Sequence, residues 1–220
     1  MVENLNEAAF TSEFKRIAKH INEEYALLEP ALEISCQKSE NTAEKVMVPA
    51  SQEQFLKTLY GLHNGVYRMS PAIEDLVETS NNIAKVLVKE GSIKIECLTR
   101  SSVNSSKLDL ANTLKSVFNL GGFEVTFSGE YPGWAPNMDS PILKVLDSLY
   151  EKLHGEKAHV AACHAGLECG ILGQNYPKMD MISFGPTIKG AHSPDERASI
   201  SSTQKFWQFV IEILKEIPKK

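Results

Sequence analysis

The sequence predicts an antiparallel α+β unit over residues 1–135, followed by part of a parallel α/β unit over residues 136–220. Three observations carry this expectation. Residues 82–89 and 92–102 alternate apolar and polar side chains around Glu90-Gly91, the pattern of a β-hairpin with one covered face. Tyr131-Pro-Gly-Trp-Ala-Pro136 places two prolines and a glycine in six residues, which breaks regular structure and puts a boundary between about 128 and 140. Beyond it, helical patterns alternate with short apolar runs, as in a parallel sheet covered by helices.

The elements follow in order. Residues 7–28 carry Phe10, Phe14, Ile17 and Ile21 at three- and four-residue steps, with Leu27 beyond them, an amphipathic helix ending before Pro30. Residues 31–36 read as a short strand and 37–45 as a polar loop. Ser51 is placed to cap a second helix, with Phe55, Leu56, Leu59 and Leu62 on one side and Asn64-Gly65 after its end. His20 and His63, on or beside these helices, are expected in solvent. Residues 66–70 read as a turn before the hairpin. Residues 105–120 form a helix started by Ser105 or Ser106 and stopped by Gly121-Gly122, with Leu108, Leu110, Leu114, Val117 and Phe118 as its apolar set. Residues 123–127 read as a further strand.

In the second part, Ser140-Pro141 opens a helix to His154 that buries Ile142, Leu143, Val145, Leu146 and Leu149. Apolar runs at 158–163 and 179–184 read as buried strands, separated by a glycine-rich turn and a short helix. A last helix spans 201–217, with Trp207 in the core. Two strands and two long helices do not cover both faces of a parallel sheet. This part is therefore expected to complete a larger sheet whose other strands lie elsewhere.

A net charge of −5 and the lack of a basic stripe give no electrostatic basis for nucleic-acid binding. No apolar run approaches a membrane span, and Met1-Val-Glu-Asn-Leu-Asn lacks the pattern of a secretory leader, so the expected compartment is the cytoplasm. Cys36, Cys97, Cys163 and Cys169 form no Cys-x-x-Cys pair; Cys163 and Cys169 are expected reduced and half-buried.

Three places could carry chemistry. His192 lies in a loop broken by Gly185, Pro186 and Gly190, after an apolar run, where ligands bind in open α/β sheets. Its imidazole can ligate a metal, although one histidine is not a metal site. Arg100 ends a predicted strand, as a rim arginine or an anion ligand. Cys163-His-Ala-Gly-Leu-Glu-Cys-Gly170 holds His164, Gly166 and Glu168 in one turn. Glycine there allows close approach of backbone to a ligand. Asp195 and Glu196 are adequately explained by capping the helix that follows.

Phe184-Gly-Pro-Thr-Ile-Lys-Gly-Ala-His-Ser-Pro-Asp-Glu196, the segment 163–170 and Leu98-Thr-Arg-Ser-Ser-Val103 together resemble the aminoacyl-histidine (Xaa-His) dipeptidases, a branch of the dinuclear zinc exopeptidases. The likeness runs from the first residues to the last helix. It implies a catalytic α/β domain interrupted by an inserted lid, with residues 1–135 as the later part of the lid and 136–220 as the return to the catalytic sheet. It implies hydrolysis of Xaa-His dipeptides by zinc-activated water. His192 would be one ligand to one of two zinc ions, Arg100 the ligand of the substrate carboxylate, and Gly166 a main-chain contact, with His164 and Glu168 on the site wall. The remaining metal ligands and the general base belong to a half of the family's sequence that has no counterpart in these residues. Implied partners are a small peptide substrate and a second copy in a homodimer, with no nucleic acid or membrane. Two alternatives stay open: a catalytically incomplete chain serving as a lid or dimerisation module, and another exopeptidase of the same family.

Overall fold

The structure, a computed structural model, describes residues 6–39, 45–162, 164 and 168–216. It divides into two compact units, Met1–Gln54 and Phe55–Lys220.

The first unit is built on α1 (Glu7–Tyr25). Ala18 is buried and Phe14 and Ile21 are half-buried, one stripe at helical spacing. The chain turns at Tyr25, whose carbonyl accepts from Leu28 N at 2.9 Å and Glu29 N at 2.8 Å. The returning segment meets the helix again where Lys38 Nζ pairs with Glu7 Oε2 at 2.8 Å. Residues 31–36 were expected as a strand and are irregular instead. Here Ile34 joins Phe14 and Ala18 in lining a groove, so side-chain packing holds the segment without a strand partner.

Helix α2 (Pro49–Gly61) starts at a proline, which suits a first turn because its missing N–H would be unpaired there. Ser51, expected as the cap, lies inside that first turn. The second unit opens with the end of α2, where Phe55, Thr58 and Leu62 are buried. Strands β1 (Gly65–Met69), β2 (Val77–Lys89) and β3 (Ser92–Ser101) form an antiparallel sheet in that order. The hairpin expectation holds, with Glu90 and Gly91 both at positive φ (52° and 76°), the tight turn that matches strand twist. Residues 66–70 are not a turn: β1 pairs with β2 from Gly65↔Asn81 to Met69↔Val77. Its side chains are all exposed, so no alternation announced it.

Helix α3 (Asn104–Leu120) covers one face of the sheet. Leu62, Leu110, Leu114 and Phe118 form the core, with Ile83, Ile95, Cys97, Phe123 and Val125 packed against it. Leu108 is exposed rather than buried. The helix starts at Asn104 after Val103, with Ser105 and Ser106 already inside it; Ser106 turns inward to the sheet. Gly121 meets α2 so closely that an added Cβ would lie 2.0 Å from Thr58 Oγ1. Residues 123–127 pack Phe123 and Val125 against the core but pair with no strand among the described residues, so they are not the further strand expected. His63 is half-buried, with its ring edge-on to Tyr67, rather than solvated; His20 is exposed.

Residues 131–136 run as a strap within this unit. Lys107 Nζ donates to the Tyr131 carbonyl and Gly133 N donates to Asn104 Oδ1 at 2.7 Å. Gly133 touches the Ser102 carbonyl, where a Cβ would lie 2.4 Å away.

Helix α4 (Pro141–His154) is capped as its sequence requires. Ser140 Oγ accepts from Leu143 N at 3.1 Å and donates to Asp180 Oδ2 at 2.9 Å. Asp180 Oδ2 also accepts from Ile142 N at 2.9 Å, and these bonds hold its carboxyl below the ordinary Asp value. Leu146 and Leu149 are buried against Phe209 of α6 (Ile200–Glu216), whereas Val145 and Trp207 are exposed, against expectation. Phe184 meets Phe206 at a tilt and Phe209 edge-on, with ring centroids 5.5 and 5.6 Å apart.

Residues 158–162 and 179–184, expected as strands of a larger sheet, pair with no strand among the described residues. Both line an apolar cleft of about 420 Å³ with Trp134, Leu146 and Phe209. Strand assignment requires a neighbour to take the backbone N–H and C=O groups, and among the described residues none does. The short helix α5 (Glu168–Asn175) and the small hairpin β4 (Ile188–Lys189) with β5 (Arg197–Ala198) complete the unit.

Candidate functional site

Register decides which side chains meet on the β2–β3 hairpin. Thr79 pairs with Ser101, Ser80 with Arg100 and Asn81 with Thr99. Successive strand residues point to opposite faces, so Thr79 and Ser101 share the face under α3 while Ser80 and Arg100 share the open one. Burial agrees in part: Thr79, Asn81 and Ser101 are buried and Arg100 is exposed, whereas Glu78, on the side of Ser80, is buried and paired with Arg68 at 3.3 Å.

The covered face is a closed hydrogen-bond network. Thr79 Oγ1 lies 2.8 Å from both Ser101 Oγ and Ser106 Oγ. Asn81 donates to the His63 carbonyl at 2.8 Å and accepts from Thr99 Oγ1 at 3.0 Å. These bonds satisfy groups that would otherwise be costly to bury. They also fix the pairing that sets Arg100 opposite Ser80.

On the open face, His164 Nε2 lies 2.8 Å from Ser80 Oγ. The imidazole is half-buried. Burial, with the nearby positive Arg100 as the second cause, lowers its pKa below the ordinary histidine value and so favours the neutral ring. Among the described residues no carboxylate pairs with the Arg100 guanidinium. The result is one exposed cation beside a neutral imidazole and a hydroxyl, an arrangement that can take a carboxylate in two parallel bonds.

His192 occupies the turn between β4 and β5 at φ 64°, and is exposed. Its backbone N–H donates to Glu196 Oε2 at 2.8 Å, and Ser193 Oγ donates to the Gly190 carbonyl at 2.6 Å. Asp195 and Glu196 therefore belong to this turn rather than to the first turn of α6, which begins at Ile200. Among the described residues, no group of three or more His, Cys, Asp or Glu side chains could hold a metal ion. A catalytic zinc takes about three protein ligands, so these residues do not fit a metal site by themselves; His192 would need ligands from beyond them.

Glu168 is exposed at the start of α5, a position favoured for an acid by the helix dipole. Gly166 and Cys163 lie outside the described residues; Cys169 is a half-buried free thiol. The structure thus brings His164 onto Ser80, the residue paired with Arg100. It adds Ser80, which sequence reasoning left without a role. Period-two alternation places Ser80 on one face of β2, but only the register shows that Arg100 stands opposite.

The chain is similar to known proteins over most of its length. Cytosol non-specific dipeptidase of Escherichia coli (strain K12) is 39% identical over 174 residues, covering 79% of this chain and 36% of that protein. Succinyl-diaminopimelate desuccinylase of Sulfurovum sp. (strain NBC37-1) is 23% identical over 128 residues, covering 58% of this chain and 34% of that protein. The crystal structure of aminoacylhistidine dipeptidase from Vibrio alginolyticus superposes with a TM-score of 0.84 at 36% identity, covering all of this chain and 44% of that one. The chain therefore spans less than half the length of the relatives it matches. No helix among the described residues is long and apolar enough to cross a membrane. The sequence model of Peptidase family M20/M25/M40 matches residues 7–216, nearly the whole chain, and the chain belongs to that family.

Proposed function

We propose that this chain forms the C-terminal part of a metallodipeptidase that hydrolyses Xaa-His dipeptides, with Arg100 as the ligand of the peptide's terminal carboxylate. The observation that carries the reading is the exposed guanidinium on the open sheet face, free of any carboxylate among the described residues and flanked by a neutral ring and a hydroxyl. Such a group is satisfied by a free C-terminus and left unpaired by an internal peptide bond, which explains a preference for short peptides. The names of the two dipeptidase relatives support the reaction class, and that of the Vibrio enzyme supports histidine on the carboxyl side of the cleaved bond.

In this reading residues 1–135 serve as lid and 136–220 as part of the catalytic domain. His192 contributes one ligand to a two-zinc centre completed by residues not present in this chain, and Gly166, His164 and Glu168 line the wall. The enzyme works in the cytoplasm and pairs as a homodimer. Zinc would polarise the scissile carbonyl; the part of this chain is to bind and orient the substrate.

A chimera tests the proposal. This chain replaces the matching segment of the Escherichia coli relative, and hydrolysis of Xaa-His dipeptides and bound zinc are measured. The chimera should cleave them, and His192→Ala should lower both zinc content and turnover. A folded, zinc-loaded chimera that leaves Xaa-His dipeptides intact overturns the proposal.

A further inference from the structure

We infer that Ser80 is a positioning residue for substrate recognition: its hydroxyl holds the His164 imidazole beside Arg100, so that ring and guanidinium together receive one carboxylate. The inference rests on the reading of Arg100 just given.

The run Glu78-Thr-Ser-Asn-Asn82 contains several small polar residues. Thr79 and Asn81 are occupied on the covered face. Ser80 faces the other way, opposite Arg100. Directly opposed residues of an antiparallel pair have Cβ atoms about 5 Å apart, so hydroxyl and guanidinium stem are neighbours. The partner of Ser80 comes from far along the chain: His164 precedes α5 by four residues, and its Nε2 reaches Ser80 Oγ at 2.8 Å. In this arrangement the Ser80 hydroxyl donates to Nε2, which leaves the ring proton on Nδ1, free to donate to an anion. A neutral imidazole so held, beside a cation, adds a directed bond for an anion without adding a charge. Without the hydroxyl, the half-buried ring would exchange tautomers and lose its orientation.

The test uses the whole 220-residue chain and ¹⁵N spectra of its histidine rings and of the arginine Nε–H groups, with glycyl-histidine and its C-terminal amide as probes. In the wild-type chain His164 should show a single tautomer. Free glycyl-histidine should shift both the Arg100 and His164 signals, and the amide neither. Ser80→Ala should give averaged tautomer signals for His164 and about three- to tenfold weaker binding of the free dipeptide, with the Arg100 response kept. Ser80→Thr, which keeps a hydroxyl, should restore the tautomer, and this separates positioning from a folding defect. If Arg100 does not respond to the free dipeptide, the carboxylate reading fails and the shared pocket with it. If Arg100 responds but Ser80→Ala leaves tautomer and affinity unchanged, the positioning role alone is overturned. An averaged His164 spectrum already present in the wild-type chain overturns it equally.

Discussion

Thr79→Val probes the network that holds Arg100 in register. Ser101 Oγ donates to the Val103 carbonyl at 2.9 Å, so its proton is committed. It must then accept from Thr79, whose own oxygen accepts from Ser106. The protons run Ser106 to Thr79 to Ser101 to the Val103 carbonyl. Valine keeps the shape of threonine and removes the middle link, deleting two neutral bonds and stranding the Ser106 hydroxyl in a buried site. Two such bonds set a cost of about 1–3 kcal/mol. Native-state hydrogen exchange at β2 and β3 amides reads this local free energy. Adding Ser106→Ala removes the stranded donor, so the double variant should be less destabilised than the sum of the singles by about 0.5 kcal/mol or more. A Thr79→Val cost below about 0.5 kcal/mol, or strict additivity, would refute the directional chain.

Further outcomes follow from particular contacts. Gly121→Ala would drive a Cβ to 2.0 Å from Thr58 Oγ1 and should lower the melting temperature, whereas Gly185→Ala, with nothing within 4 Å, should not. Asp180 has a folded pKa held below the usual value by Ile142 N and Ser140 Oγ, so its contribution is present above the unfolded pKa and is lost as pH falls through the folded one. The stability gap between wild type and Asp180→Ala, measured by urea titration, should therefore be full at pH 7 and close below about pH 4. The isolated chain, loaded with zinc and assayed on Xaa-His dipeptides, should show negligible turnover, because the described residues bring no further ligands to His192; turnover abolished by His192→Ala would contradict this.

Helices and hairpin were legible because their signals are local. Apolar residues at helical spacing reveal α1, α3, α4 and α6, Ser140-Pro141 marks a cap, and Glu90-Gly91 a tight turn. What depends on pairing was not legible. Strand β1 buries no side chain and reads as a turn. Residues 158–162 and 179–184 have strand composition, yet their backbone groups meet no ladder partner. The site divides the same way. Arg100 and His192 were visible through residue type and motif. The meeting of Arg100, Ser80 and His164 depends on the β2–β3 register and on a contact across more than eighty residues, neither of which composition encodes.

The most direct measurement compares the affinities of the chain for free and C-amidated Xaa-His dipeptides before and after Arg100→Lys. Lysine keeps the charge but not the planar pair of donors. The wild-type chain should prefer the free dipeptide. Arg100→Lys should cut that preference by roughly ten- to a hundredfold, the worth of a charge-assisted bond of about 1.5–3 kcal/mol, and leave the amide's weaker binding unchanged. Equal losses for the free and amidated peptides would contradict it and leave Arg100 a support of the sheet.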